Sequence, residues 1–384
     1  MLSHETSHPP ADESRGHVVI AGASGVIGAP AVVAFARAGW HVTALSRRRP
    51  IVPADCAFDH LALDFNDADA CKRALADLPP VTHLVYAAVS EAPGLSSGWV
   101  DEDLIAKNGA MLRHVLGPLA ETGDLRHVSI LQGTKAYGGH LHPVTLPLRE
   151  SSPRDNHPNF YWLHEDFTRE QAARHGFAFT IWRPQVLLGS APGAAMNPVA
   201  AIGAYAAICR ERGLPFTLPG DAVGLWEMVD ADLFADALVW SATSKQAAGE
   251  TFNFTNGDLF ALRHAWPELA KALELSSEGD SPESFVSFFA QDENQSAWQA
   301  IVAREGLLLG EIDALLGQSH IYLDILNSGR AAQRVLPMVV STIKLRHAGF
   351  AGCIDSFASL RRQLAAMVAL KLLPRHCDPG QGNT

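Results

Sequence analysis

Cysteine is scarce in this 384-residue chain, and none of the five (Cys56, Cys71, Cys209, Cys353, Cys377) forms a C-x-x-C pair. That scatter points away from a disulfide framework and from a thiolate metal site, and toward free thiols in a reducing, cytoplasmic compartment. Positive charge is in deficit, with 30 Lys and Arg against 41 Asp and Glu and a net charge of −11. General nucleic-acid binding needs a concentrated basic footprint, so no nucleic-acid partner is expected. The apolar stretch Met367–Leu373 is too short to span a bilayer, and no membrane segment is expected. Residues 1–15 are polar, with two prolines and no apolar core, and read as a disordered tail rather than a signal peptide. No internal repeat is visible. At 47% hydrophobic residues, the chain can still bury a substantial core.

What is present begins at Gly16. The apolar run His17–Ala21 ends in Gly22-Ala23-Ser24-Gly25-Val26-Ile27-Gly28, a G-x-x-G-x-x-G turn, and an alanine-rich helical pattern follows to Ala38. A second β-like run, Trp40–Leu45, delivers Ser46-Arg47-Arg48-Arg49. Strand, glycine turn, helix, strand and basic cluster in this order form the phosphate-binding half of a dinucleotide fold. Gly22 turns the chain off the strand, Gly25 lets a pyrophosphate approach backbone N–H groups, and Gly28 lets helix and strand pack closely. Ser24, Val26 and Ile27 lie along the same turn. An acid at the end of the second strand would bond the ribose hydroxyls of NAD, whereas an arginine accommodates a 2′-phosphate. Here there is no acid, so NADPH/NADP+ is the expected cofactor, with Arg47 the first candidate contact, Arg48 the second, and Ser46 beside them.

Further along, a short strand Leu61–Leu63 runs to Asp64, which stands either as an adenine contact or as a strand-end solubiliser. A helix is expected over Asn66–Leu78, capped by Asn66 or Asp67, then a central strand over Val81–Ala88. Phe65 and Ala87 join the candidate cofactor contacts. A helix over Asp101–Thr122, a strand over Leu125–Ile130 and a Pro- and His-rich loop over Leu141–Asn159 follow. Next come a helix to Arg174, a strand over Phe177–Pro184, and a segment around Val186 as a further cofactor contact. Beyond it helices are expected over Asn197–Glu211, Asp230–Lys245, Gly257–Leu275 and within Ser281–Leu316, where Pro282 takes a start position. Between them fall short strands over Leu214–Leu218 and Thr251–Phe254. A long helix through Ile343 and a last one over Ser356–Leu370 end the chain. The fold class is α/β: a Rossmann-type doubly wound parallel sheet with a smaller, mostly helical C-terminal substrate lobe. Residues 16–190 form the cofactor domain and 191–384 mainly the lobe, with some segments returning to the core.

Ligands in a doubly wound sheet sit at the carboxyl ends of the strands, which places Lys135 in a functional zone. Hydride transfer to a carbonyl or enone needs charge control at the substrate oxygen. A tyrosine hydroxyl can donate a hydrogen bond or a proton there, and a nearby ammonium favours its ionised form. Lys135 and Tyr161 are the candidates for that pair.

Several segments resemble the plant progesterone 5β-reductase and iridoid synthase family of extended short-chain dehydrogenase/reductases. They are Gly133-Thr134-Lys135-Ala136-Tyr137, Asn159-Phe160-Tyr161-Trp162 with Glu165-Asp166, Phe252–Asp258, Trp266-Pro267 and Lys344–Phe350. That family lacks the usual tyrosine-x-x-x-lysine pair, and the resemblance implies that Tyr161 and Lys135 are catalytic and also contact the cofactor. Two positions depart from the family pattern: Ala136 stands where it has a histidine, and Trp162 where it has a second tyrosine. The resemblance further implies NADPH-dependent reduction of an activated C=C bond in a small apolar enone. Carbonyl reduction with the same pair is the alternative, and the chain is expected to be a monomer or homodimer. His164 is read as surface or structural, Tyr137 and Asn108 as structural supports, and Phe350 as a core aromatic or a pocket wall.

Overall fold

The computed structural model describes residues 15–92, 95, 101–220, 224–277, 279–281, 283–327 and 338–380. The expected disorder before residue 15 and the helix start at Pro282 fall at least partly outside these residues. Chain order begins β1 (His17–Ala21), α1 (Gly28–Arg37), β2 (His41–Leu45), β3 (Asp59–Leu61), α2 (Ala68–Ala76), β4 (His83–Tyr86), α3 (Glu102–Glu121) and β5 (His127–Leu131). It continues with α4 (Phe160–His175), β6 (Ala178–Pro184), β7 (Val186–Leu188), α5 (Val199–Arg212), β8 (Leu218–Pro219), β9 (Met228–Asp230), α6 (Ala231–Thr243) and β10 (Glu250–Phe254). The remainder holds α7 (Leu262–Ala272), β11 (Asp280–Ser281), α8 (Phe285–Phe289), α9 (Asp292–Glu305), α10 (Ile312–Leu316), α11 (Ser319–Asn327), α12 (Ile343–His347) and α13 (Ser356–Ala369).

Seven strands form one parallel sheet in the order β10-β6-β5-β4-β1-β2-β3. Both faces are covered, as parallel strands require. On one face, α1 and α6 bury Phe35, Val32, Phe234 and Leu238 against Trp182, Phe252 and Phe254. On the other, α2 and α3 bury Leu75, Leu112, Val115 and Leu116 against Val19, Leu84 and Val128. A third core of α5, α7 to α11 and α13 gathers around Trp266, Trp298 and Tyr205. Phe216 stacks on Trp266 there at 4.3 Å between ring centres.

Four expectations shift. The helix expected from Gly257 begins only at Leu262, because Phe260 exchanges backbone hydrogen bonds with Trp226 at 2.8 and 2.7 Å. β3 begins two residues before the expected strand, because Asp59–Leu61 are the residues that pair with Thr43–Leu45. Of the strand expected over Leu214–Leu218, only Leu218 pairs, with Asp280. The long helix through Ile343 is not continuous. Residues 338–342 are non-helical, with Val340 bridging to Leu148, and Ile343 instead opens α12. The segment 141–159 is a long loop, as expected.

Candidate active site

The turn after β1 is built by close approach. Gly22 has φ +86°, and a Cβ there would stand 2.7–2.8 Å from the backbone of Ala87 and Ala88. On Gly28 it would stand 2.1 Å from the Gly22 carbonyl oxygen. The Gly22 and Ala23 amides donate to the Leu45 carbonyl at 2.9 and 3.2 Å, locking the turn to the end of β2. The amides of Ser24, Val26 and Ile27 donate to no backbone carbonyl among the described residues. They stand at the N-terminus of the ten-residue α1, where unpaired N–H groups and the helix dipole favour an anion. Side chains of the two apolar residues turn inward: Ile27 is buried, and Val26 packs on Gly189. Only their backbone faces the turn.

A cavity of about 100 Å³ adjoins this turn, lined by Ser24, Ala29, Arg48 and Arg49 and, from the second half of the chain, by Ala191, Pro192, Leu309 and Ala314. Arg48 and Arg49 both reach this cavity, and the Arg48 guanidinium lies 3.8 Å from where a Cβ on Gly193 would stand. Arg47, exposed like its two neighbours, does not line the cavity and acts on Asp64, whose carboxyl it helps hold below the usual range after the hydrogen bonds from Asn66. Arg49 also lies over the Phe58 ring. The Ser46 hydroxyl donates to the Arg48 carbonyl at 2.7 Å. One Asp64 oxygen accepts from the Asn66 amide and side chain at 3.0 and 2.7 Å. Phe65 and Val186 send their side chains into the cores, so each can present only backbone. The Ala87 backbone abuts Gly22.

The second half of the site lies at the ends of β5 and β6. A short 3₁₀ turn over Thr134–Tyr137 follows β5 and carries Lys135. Tyr161 is in the first turn of α4, where Asn159 caps the helix by accepting from the Tyr161 amide at 3.0 Å. A Cβ on Gly133 would lie 2.9 Å from the Tyr161 hydroxyl, so the phenol rests on the chain two residues before Lys135. Ile105, Ala136, Phe160, Trp162 and Met196 pack around the tyrosine, and the Lys135 ammonium reaches the Met196 sulfur at 3.7 Å. Burial pushes Lys135 down to about 7, opposed by the Glu91 carboxylate. Burial, joined by Glu91, pushes the Tyr161 phenol up, against the pull of Arg183.

Glu91 was not singled out from the sequence, although it lies just beyond the carboxyl end of β4, where site residues gather. Its segment is fixed at both sides: Asn108 pairs with the Ser90 amide and carbonyl at 2.7 and 2.9 Å, and Gln318 donates to the Ala92 carbonyl at 3.2 Å. Tyr322 of α11 also feels its charge. Neither Met196 nor Tyr322 carries a local sequence signal, because both enter from the lobe.

A buried polar network supports the tyrosine from below. Gln132 donates to the Tyr161 carbonyl at 3.3 Å and to Glu165 at 3.0 Å, and Arg183 donates to Gln132 at 2.9 Å. Arg183 lies over the Tyr137 ring, whose hydroxyl donates to Asn253 at 2.6 Å. Tyr137 and Asn108 are thus structural supports, as expected. His164 is buried and bonded to the Asn108 carbonyl at 2.9 Å, which settles it as structural and not surface. Trp162 is a packing residue under Arg154, and Phe350 is a core aromatic against Trp240 and Phe254.

Residues 18–254 match the NAD dependent epimerase/dehydratase family. An (S)-8-oxocitronellyl enol synthase of Nepeta cataria is 30% identical over 288 residues, covering 70% of each chain. A second, of Camptotheca acuminata, is 29% identical over 352 residues, 87% of this chain and 86% of the other. The 3-oxo-Δ4,5-steroid 5β-reductase of Arabidopsis thaliana is 28% identical over 87% of this chain and 86% of its own. This chain belongs to the iridoid synthase and progesterone 5β-reductase-like clade of that family. Among solved structures, RMD from Pseudomonas aeruginosa complexed with NADPH superposes with a TM-score of 0.63 at 16% identity, over 92% of this chain and 98% of the other. The UDP-glucose 4-epimerase of Thermus thermophilus, solved with NAD, gives 0.62 at 17%, over 92% and 99%. The fold of this clade member is that of the NAD(P)-dependent oxidoreductases. Among the described residues, no helix is long and apolar enough to cross a membrane.

Proposed function

We propose that this clade member is an NADPH-dependent reductase of C=C bonds conjugated to a carbonyl, acting on a small apolar enone. The observation that carries the reading is the Tyr161 hydroxyl lying on Gly133, two residues from Lys135, at the carboxyl edge of the sheet that also holds the glycine turn. The names of the relatives, enol synthases and a steroid 5β-reductase, support the same chemistry.

The glycine turn fits a pyrophosphate: Gly22 and Gly28 leave no room for a Cβ, and the Ser24, Val26 and Ile27 amides await an acceptor. Arg48, in the cavity beside Ser24, suits the 2′-phosphate, with Arg49 on the same wall and Arg47 next to it in the chain. Backbone at Ala87 and Val186, together with Asp64, Phe65 and Ser46, completes the candidate contacts. NADPH bound there supplies a hydride to the β carbon of the substrate.

Negative charge then develops on the substrate oxygen. Tyr161 donates a hydrogen bond to that oxygen, and its raised pKa keeps the proton on the phenol at neutral pH. Lys135, while protonated, adds a positive charge beside the same oxygen. Ile105, Phe160 and Met196 exclude water and strengthen both interactions. The α carbon takes its proton from solvent as the enolate collapses to the saturated carbonyl compound.

The test is NADPH oxidation with a cyclic enone, with the product identified. Saturated ketone is expected, whereas allylic alcohol would show carbonyl reduction by the same groups. Tyr161→Phe is expected to lower kcat about 100-fold, the scale of one lost oxyanion donor, with little change in NADPH affinity.

A further inference from the structure

Glu227 is a buried carboxylate that the proposed reaction does not use. It immediately precedes β9, which pairs in parallel with β7 so that Val186 stands opposite Met228. The Glu227 carbonyl accepts from the Val186 amide at 3.3 Å. One carboxyl oxygen, Oε2, accepts two donors at 2.7 Å each: the Gln185 side-chain amide and the backbone N–H of Val340. The same Gln185 amide also donates to the Met338 carbonyl. Glu227 and Gln185 together therefore satisfy one acceptor and one donor of the segment 338–341.

The other edge of that segment is held by the long loop. Leu148 donates to the Val339 carbonyl at 2.7 Å and accepts from the Ser341 amide at 2.8 Å. Asn253 donates to the Leu148 and Ser341 carbonyls at 3.2 and 3.1 Å. Met338 lies over Gly139, where a Cβ would come within 2.9 Å of its side chain, and Val340 packs with Tyr137. The segment thus rests on the turn that carries Lys135 and is tied to the segment that carries Val186.

We propose that Glu227 is a positioning residue: it ties the segment 338–341 across the site and thereby fixes Gln185 and Val186 relative to the Lys135 turn. A solvated surface acid would not titrate as this one does, for burial pushes its carboxyl up to about 7 against the pull of its two donors. Its reach is through hydrogen bonds, so an uncharged acceptor of the same shape serves equally well. The inference rests on the proposed reductase reading for its effect on catalysis, but its structural half does not.

The experiment compares full-length wild type with Glu227→Ala and Glu227→Gln, measuring amide hydrogen exchange, NADPH affinity and kcat with an enone. In Glu227→Ala, exchange is expected to speed up in 338–342 and in 185–188 together. Its kcat falls about tenfold while NADPH affinity changes less than about threefold, the signature of lost positioning rather than lost binding. Glu227→Gln keeps the acceptor and is expected to stay near wild type in all three. Unchanged exchange at 185–188 in Glu227→Ala overturns the proposal, as does an equal loss in both variants or a matching fall of affinity and kcat. Should Glu227→Ala fail to fold, Gln185→Ala cuts the tie to Met338 from the other side, and wild-type exchange and kcat there overturn it equally. Wild-type protein inert toward every enone would sink the reductase reading alone, since the exchange measurement needs no turnover.

Discussion

Arg48 and Lys135 are the two cations on which the proposed chemistry turns, and the fold treats them differently. Arg48, with Arg49, lines a cavity beside Ser24, while its neighbour Arg47 is not part of that lining and lies close enough to Asp64 to lower the pKa of its carboxyl. Arg48→Ala is therefore expected to weaken NADPH binding by about tenfold or more, the scale of one charge-assisted hydrogen bond, and NADH binding hardly at all. Arg47→Ala has the smaller effect, and titration of both variants with both cofactors checks the order. Read from the sequence, Arg47 comes first because it stands nearest the end of the strand, whereas the cavity is lined by Arg48 and Arg49. Lys135 is pushed down to about 7 by burial. Its ammonium is present below that value and is lost as pH rises through it, so kcat/KM is expected to fall on an alkaline limb near neutrality. Tyr161, whose phenol is pushed upward, does not add to that limb. Lys135→Arg, at lower overall activity, should abolish the limb because a guanidinium does not deprotonate in this range. A limb that persists in Lys135→Arg assigns it to another group.

Elements place these side chains, and two local features decide whether they arrive. Gly28 is required because a Cβ there meets backbone at 2.1 Å, which nothing flexible can relieve. Gly28→Ala is expected to open the turn, costing about 1–3 kcal/mol of stability and most NADPH affinity, readable by denaturant melts and cofactor titration. Asn159 caps α4 through the Tyr161 amide. Its replacement by alanine is expected to cost about 1 kcal/mol and to lower kcat, because the frayed turn is the one that holds the phenol. The first was legible in the sequence as a glycine spacing; of the second only the end of the loop at Asn159 was legible, not the cap. The end of the helix expected to run through Ile343 was not. Met338, Val339 and Val340 carry apolar side chains compatible with a helix, yet the backbone groups of 338–341 are claimed by Leu148, Asn253, Gln185 and Glu227, which lie far away in sequence.

At the scale of the whole molecule, the edge of the sheet opposite the site is lined by histidines. His17, His41, His83 and His127 are the first residues of β1, β2, β4 and β5. The ladder sets His17 opposite His41 and His83 opposite His127, with the first pair of rings stacked at 4.3 Å. The sequence shows each histidine, but only the strand order makes them neighbours. Burial holds His83 down at about 4 and His127 at about 3, and it lowers His17 too. The unfolded chain protonates these rings near their ordinary value while the folded chain does not. The contribution of these rings to stability is therefore complete above about pH 6.5 and falls below it, by up to about 1.4 kcal/mol per pH unit for each ring. Thermal melts are expected to drop steeply between about pH 6.5 and 4, and His127→Gln should flatten that drop relative to wild type. Equal slopes in the two proteins would remove the histidine row from the account.

The most direct measurement of the central claim follows the hydride itself. NADPH carrying deuterium at the transferred position of C4 is given to wild-type protein with a cyclic enone, and the product is read by NMR. Deuterium on the former β carbon of a saturated ketone is the expected result, with the signal nearly gone in Tyr161→Phe. Deuterium on the carbinol carbon of an allylic alcohol, or undiminished labelling without the Tyr161 hydroxyl, would contradict the account.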